Sequence, residues 1–401
     1  MTELVANKKR EKLHYPIIFI GLFLCFVFTC NHNALFISDY YIFLFLYIIS
    51  AFIYMWMKNV PLRLGYQQKI IILLSLELLV LGIVNKQYMD RGVLLSYIVW
   101  FGFYFCALMM PCSKSDIKLI INSFIIGAIA CSLLVLIIKH EYIYEGSGRY
   151  TIQFFNNEEI DPNYLAGFLI IGGALSVSKL LLRKKTLLDI ILLVAGTLII
   201  TIAIFYTGSR AGVLAYIVSL FGIFIKLCFN NRDMISVRKV IVFMTIAIVV
   251  LIIVALVIPR EIYDRIFEMN LNDGSNSLRV QHWLNALKCW SMQPIFGYGP
   301  ALTKELMISI MNHNGDAHNT YLTLLLQFGL VGFLMFFLLF IDVLKGLFNK
   351  ENLVFLFILL GQVMASFIIA NHLGISLWMT LLLCNYVSRE YKEKRKEGAL
   401  K

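Results

Sequence analysis

The sequence predicts an all-α fold: a polytopic membrane helical bundle of about 12 transmembrane helices, with a long helical loop on the extracytoplasmic side. Three observations predict it. Apolar residues make up 60% of the 401 and charged residues only 15%, where a soluble chain carries about 25% charged residues. The mean hydropathy is +0.80. The apolar residues gather in runs close to the roughly 20 residues that a helix needs to cross the hydrocarbon core. No charge block or Pro/Ser/Gln-rich stretch is long enough for a disordered domain. The chain reads as one integral membrane domain, 1–401, with a lid at 259–319 inside it.

The candidate spans are 15–31, 34–57, 69–85, 92–110, 118–138, 163–181, 187–207, 211–229, 240–258, 320–341, 353–370 and 373–388. Their order is tested by charge. With the N-terminus in the cytoplasm and the spans alternating, 25 of the 35 Lys and Arg residues fall on cytoplasmic segments and 10 outside. Every cytoplasmic segment contributes, as the positive-inside rule requires. Both termini are therefore expected in the cytoplasm, with the basic stretch 388–401 as a solubilising tail that fixes topology. The net charge of +11 follows membrane sidedness, which argues against a nucleic-acid partner. The start of the chain is charged, and no small-residue cleavage site ends the first apolar run, so no cleaved signal peptide is expected. The cysteines form no CxxC pair or zinc spacing. They read as small buried hydrophobes, and no metal is expected.

Two outer segments depart from short-loop connectivity. One, 139–162, is mildly acidic. The other, 259–319, is too long to be structureless without a function. In it, Val280, Trp283, Leu284, Leu287 and Trp290 share a stripe, with Arg279, His282 and Lys288 off it. That pattern predicts an amphipathic helix over 278–292, with Trp suited to a membrane interface. Pro294 and the Gly-Tyr-Gly-Pro at 297–300 end it. A second amphipathic stretch follows at 302–311.

Within this frame Arg210 is the sharpest anomaly. It follows Thr207-Gly208-Ser209 at the junction of two apolar spans, and an arginine at such a place is a functional hypothesis by default. The alternative is a side chain that snorkels to the headgroups. Its planar fork suits a phosphate. His318 lies where the long outer loop meets a span, near a helix N-terminus that favours an anionic ligand. Its imidazole can accept a proton near neutral pH, or it can simply cap the helix. Asp316 is placed to orient it from the loop. His313 is a second histidine in the same loop. Arg279 and Arg149, with Arg210, offer an outer cationic pocket for a pyrophosphate. Glu77 sits mid-span without an assigned role, and His372 in an outer turn reads as structural. No Walker A, GxSxG or HExxH motif is present. The energy for any reaction must come from the membrane or from an activated substrate.

Several of these residues fall in ordered motifs. They are Asp161-Pro162-Asn163-Tyr164-Leu165-Ala166, Thr207-Gly208-Ser209-Arg210-Ala211-Gly212, and Ser277-Leu278-Arg279 with Pro294-Ile295-Phe296-Gly297-Tyr298-Gly299-Pro300. Then come Ala317-His318-Asn319-Thr320-Tyr321-Leu322 and Gln327-Phe328-Gly329-Leu330-Val331-Gly332. In order and spacing the set resembles the O-antigen polymerase and O-antigen ligase superfamily of bacterial membrane proteins, over roughly residues 140–345. The resemblance implies a membrane-embedded glycosyltransferase. Such enzymes transfer glycan from an undecaprenyl-pyrophosphate carrier to an acceptor hydroxyl on the extracytoplasmic face, without nucleotide sugar, cofactor or metal. The family's catalytic histidine maps onto His318, its mid-chain arginine onto Arg210 and its loop arginine onto Arg279. Arg149 corresponds more loosely. With Asn319, Asp161 and His313, Arg279 and Arg149 form the candidate substrate-binding set, beside His318 and Arg210 as the catalytic pair. The partners implied are the lipid-linked oligosaccharide and membrane lipid, with a chain-length regulator and a flippase. Among functions, polymerisation of lipid-linked repeat units is favoured by the Asp-Pro-Asn-Tyr-Leu-Ala and Gly-Tyr-Gly-Pro segments. Ligation to lipid A core is the alternative, and a transporter of lipid-linked glycan or a noncatalytic assembly factor are the readings from other classes.

Overall fold

Helices stand at each of the twelve predicted spans in the computed structural model, which describes residues 13–28, 40–61, 64–142, 148–153, 159–182, 186–228, 237–267 and 274–399. The first five are α1 (Ile17–Phe26), α2 (Tyr40–Met57), α3 (Tyr66–Val84), α4 (Arg91–Met109) and α5 (Lys114–Ile138). A short antiparallel ladder of β1 (His140–Glu141) and β2 (Tyr150–Thr151) follows, pairing His140 with Thr151 and Glu141 with Tyr150. Then come α6 (Pro162–Leu182), α7 (Leu187–Tyr206), α8 (Arg210–Cys228) and α9 (Val237–Val257). The lid contributes α10 (Arg260–Phe267), α11 (Gly274–Met292) and α12 (Thr303–Met311). The chain closes with α13 (Thr320–Leu347), α14 (Leu353–Ala365), a 3-10 turn at Asn371–Leu373, and α15 (Ile375–Ala399).

Among the described residues, seven helices are long and apolar enough to cross a membrane: α3 to α8 and α13. The helices α1, α2, α9 and α14 carry shorter apolar stretches. In α15 the last predicted span and the basic tail are one 25-residue helix, exposed at 392–395. To the predicted helical architecture the structure adds the two-residue β ladder and a third lid helix, α10. Large apolar side chains such as Ile83, Ile137 and Leu256 are more than three-quarters exposed, which suits helices whose outer faces meet lipid.

Local sequence explains the helix starts. Ser113 and Asp116 form a capping box on α5, and Thr186 and Asp189 form one on α7. Asp189 thus has a local duty in a stretch otherwise empty of carboxylates. Asp116 is fully buried and also accepts from His14, at 2.9 Å from the backbone and 2.6 Å from Nδ1, which ties the start of α1 to the start of α5. Without a hydrophobic force between helices in lipid, close packing at small residues holds the bundle. Between α8 and α14, a Cβ at Gly222 would lie 2.3 Å from that of Phe357, and one at Gly361 2.4 Å from Ser219 Oγ. The centre is aromatic: Trp100 of α4 and Trp378 of α15 stack at 6.1 Å, both buried.

In the lid the aliphatic members of the predicted stripe face outward, as in a helix suited to a membrane interface. Val280, Leu284 and Leu287 are exposed, whereas Ala286 and Cys289 are buried. Trp283 and Trp290 turn inward because their indole N–H groups find carbonyls, at Ala317 (2.8 Å) and Pro294 (3.1 Å). The outward apolar surface continues through Ile295 and Phe296, both more than half exposed.

Candidate active site

The Thr207–Arg210 turn is the first part of the site. It joins α7 to α8, and Gly208 has φ +59, a left-handed conformation that glycine adopts without strain. Arg149, at the end of the β2 arm, is buried to 1% exposure. Its Nε donates to Thr207 O and its Nη2 to Asn163 Oδ1, both at 2.9 Å. Ser209 Oγ donates to the same Asn163 oxygen at 2.8 Å, and Asn163 N donates to Asp161 Oδ1 at 2.7 Å. The Asp-Pro-Asn and Thr-Gly-Ser-Arg motifs are therefore one hydrogen-bonded network with Arg149 at its centre.

Two further arginines meet at this turn. Arg265 of α10 donates from Nε to Gly208 O at 3.3 Å, and Arg210 Nε donates to Arg265 O. A Cβ on Gly208 would lie 3.0 Å from Arg149 Cγ and 3.2 Å from Arg265 Cδ, so the turn runs between the two side chains. Arg210 and Arg265 are half-buried. Cations gathered at the N-terminus of α8, whose first backbone N–H groups add positive potential, suit an anion. Arg265 was missed by sequence reasoning. Its signal was position alone, in a helix too short to show periodicity.

The second part of the site is the loop before α13. His318 is exposed and has φ +42, which is costly for a residue with a Cβ and recurs at functional positions. Its backbone N–H points at Asp316 Oδ1, 3.4 Å away. Asn319, nearly buried, caps α13 by accepting from Tyr321 N and Leu322 N, and its Nδ2 donates to Phe367 O at 3.0 Å. Thr320 binds the end of α14 through N–H to Ser366 O and Oγ1 to Ile369 O. These bonds end α14 earlier than its apolar run predicts. His313 does not act alone: its Nε2 is 2.7 Å from Nδ1 of His282. Desolvation, then repulsion from His313 and His318, lowers the His282 pKa below the ordinary 6.5, against the pull of Asp316. Arg279 is one turn before His282 on the same face of α11 and is half-buried.

A cavity of about 410 Å³ is lined by residues that adjoin both parts, though not by Arg149, Arg210, Arg265, Arg279 or His318 themselves. Asp161, just before α6, and Tyr164 of α6 line it, with Asp316 from the histidine loop, Thr303 from α12, Gln327 from α13 and His372 from the 3-10 turn. His372 is 7% exposed, and burial pushes its pKa down to about 3, so it is neutral. Its carbonyl accepts from Trp378 Nε1 at 2.8 Å, which agrees with a structural reading. Gln327 was not singled out from sequence. It accepts from Tyr97 OH at 2.5 Å and donates to Ala301 O at 2.7 Å.

The remaining motifs form a clamp behind the cavity. Gly329 interrupts α13 with φ +59 and ψ −160. The carbonyls thereby freed, Leu326 O and Gln327 O, accept from Tyr298 N and Gly299 N, each at 2.8 Å. Leu330 N and Val331 N in turn donate to Pro294 O at 2.8 Å and Ile295 O at 3.0 Å. A broken helix at membrane depth needs such replacement partners. The turn at 294–299 supplies them, and it holds the lid against α13. No group of three or more His, Cys, Asp or Glu side chains among the described residues has metal-binding geometry.

Residues 195–337, about a third of the chain, match the family described as O-Antigen ligase. The match runs from α7 into α13 and takes in Arg210, Arg279, the 294–300 turn, His318 and Gly329; Arg149 and Asp161 lie before it. Over that stretch the chain is similar to that family. No curated protein matches the chain.

Proposed function

We propose that the chain polymerises lipid-linked oligosaccharide repeat units for a surface polysaccharide, drawing its donor from an undecaprenyl-pyrophosphate carrier. The observation that carries the reading is the placement of the cavity. Asp161, which accepts from the Asn163 that Arg149 and Ser209 hold, lines it on one side, and Asp316, two residues before His318, lines it on the other.

In the proposed reaction the acceptor sugar hydroxyl attacks the anomeric carbon of the donor glycan. His318 takes the hydroxyl proton as general base. The bond from the anomeric carbon to the pyrophosphate oxygen breaks, its electron pair leaves with the pyrophosphate, and the configuration inverts. Arg210 and Arg265, with Arg279 from the lid, stabilise the charge on the departing pyrophosphate. Arg149 serves this step from behind, by holding the turn that presents Arg210. Asp161, Asp316 and Thr303 are available to the sugar hydroxyls at the cavity wall, and Asn319 fixes the direction in which His318 leaves α13. The paired His313 and His282 position the loop from the lid side. Because the leaving pyrophosphate carries the activation energy, no ATP site is needed. The exposed apolar surface of Val280, Leu284, Leu287, Ile295 and Phe296 suits a lid lying at the membrane interface, where a polyprenyl chain arrives. Membrane sidedness follows from the charge count: both termini cytoplasmic, the site extracytoplasmic.

A second reading is ligation to lipid A core, favoured by the description of the matched family as O-Antigen ligase. One assay separates the two. Purified protein in lipid nanodiscs receives a single lipid-linked repeat unit with no other acceptor, and products are run on a gel. A glycan ladder is expected. A single product formed only after lipid A core is added would replace polymerase by ligase.

A further inference from the structure

A second concave site lies at the opposite end of the bundle. Its volume is about 350 Å³, and Lys118, Lys179 and Lys226 line it together with Glu351. Its apolar wall includes Leu175, Val354 and Phe355. The three lysines come from different helices. Lys118 is in the first turns of α5, Lys179 near the end of α6 and Lys226 near the end of α8. The candidate active site sits at the other ends of α6 and α8, where Asn163 and Arg210 stand. Asn163 to Lys179 and Arg210 to Lys226 are each 16 residues along their helices, so the two sites are about 24 Å apart along the bundle. The lysine site is thus separate from the transfer chemistry.

Two of the lysines are held in place. Lys179 Nζ donates to Asn122 Oδ1 at 3.0 Å, and Lys226 Nζ donates to the Glu351 carbonyl. An ammonium has three donors, so each retains capacity for a ligand oxygen. Helix polarity accounts for Lys179 and Lys226, which sit at helix C-termini, where a cation is favourable. It does not account for Lys118, because a cation in the first turns of a helix is unfavourable. One carboxylate, Glu351, faces three ammoniums, leaving an excess of positive charge around a polar concavity with an apolar wall. Helices end around it, at the depth where a lipid-facing bundle meets headgroups.

We infer that this pocket binds the phosphodiester headgroup of an anionic phospholipid, which bridges α5, α6 and α8 at the end of the bundle away from the transfer site. The lysines take the phosphate oxygens, and the Leu175, Val354 and Phe355 wall takes the start of the acyl chains.

The test uses the full-length protein in neutral detergent, with bound lipid counted by native mass spectrometry. Phosphatidylglycerol is titrated against phosphatidylcholine, and inorganic phosphate is added as competitor. One phosphatidylglycerol is expected to be retained in preference to phosphatidylcholine and not to be displaced by millimolar phosphate. At about fivefold per lysine, Lys118→Gln, at an exposed position, is expected to weaken retention about fivefold, and Lys179→Gln/Lys226→Gln about thirtyfold. Lys288→Gln, on the lid, is expected to change nothing. Equal retention of the two lipids, or undiminished phosphatidylglycerol binding in Lys118→Gln, would overturn the inference. Displacement by inorganic phosphate would overturn the lipid assignment and leave a soluble phosphate as the ligand. Lipid counts on the intact protein are read independently of glycan transfer, so they stand or fall apart from the proposed function.

Discussion

Arg149 and Arg210 differ in role, although both were read from sequence as phosphate ligands. Arg149 is buried and committed to Thr207 O and Asn163 Oδ1, whereas Arg210 stands half-exposed at the start of α8. Replacing Arg149 by Ala removes the donor that Thr207 O accepts from and one of the two at Asn163 Oδ1, at about 1–3 kcal/mol for a buried acceptor left unpaired, and should lower the unfolding temperature in detergent as well as turnover. Replacing Arg210 by Ala should leave the unfolding temperature near that of the parent and cut turnover by about 10²-fold or more, as expected for loss of charge stabilisation. His282 makes a pH prediction. Its folded pKa is lowered below 6.5, chiefly by desolvation, so the unfolded chain takes up the proton first as pH falls. The stability given by the neutral His282–His313 contact is intact above about pH 6.5 and declines below it. Thermal unfolding from pH 7.5 to 5.5 should show a drop that His282→Gln reduces. Arg210 and His318 were legible because each is polar at the edge of an apolar run. The duty of Arg149 was not, since its partners are a carbonyl and an amide far along the chain. Arg265 and Gln327 gave no pattern at all.

At the scale of elements, the clamp between the 294–299 turn and the break in α13 is the most demanding feature. Gly329 has a backbone conformation nearly confined to glycine, which costs other residues about 1–3 kcal/mol, and a Cβ there would lie 2.3 Å from Ile295 O. Gly329→Ala should therefore yield little folded protein by size-exclusion chromatography. Gly102→Ala, where the nearest atom to a new Cβ is 3.8 Å away, should behave as the parent. The two glycine motifs were visible in the sequence as neighbours of the histidine segment, but not as partners. Pairing through backbone groups leaves no trace in side-chain pattern. The lid helix was legible as an element, and its Val280, Leu284 and Leu287 are exposed, as an interfacial stripe would be; the carbonyls that Trp283 and Trp290 reach were not legible, since they lie beyond the helix. The β ladder is two residues per strand, below the length at which alternation can be seen. The spans themselves were readable because length and hydropathy are set by the bilayer and not by the neighbours of each helix.

For the whole molecule, the charge bias predicts that Lys304→Cys on the lid is labelled by an impermeant thiol reagent in intact cells, and that Lys394→Cys in α15 is labelled only after permeabilisation. The reverse pattern would invert the topology and remove the site from the extracytoplasmic face. The cavity is lined by segments distant in sequence: Asp161 and Tyr164, Thr303 of the lid, Asp316 before α13, Gln327 and His372. In the proposed reaction the chemistry rests on His318. The most direct test is turnover of a cognate lipid-linked repeat unit by His318→Ala in nanodiscs, beside parent protein of the same folded fraction. Loss of a positioned general base predicts a fall of about 10²–10⁴-fold with insertion and unfolding temperature unchanged. Turnover equal to the parent would contradict the account, since it would leave the acceptor proton with no role for the residue on which the proposed reaction rests.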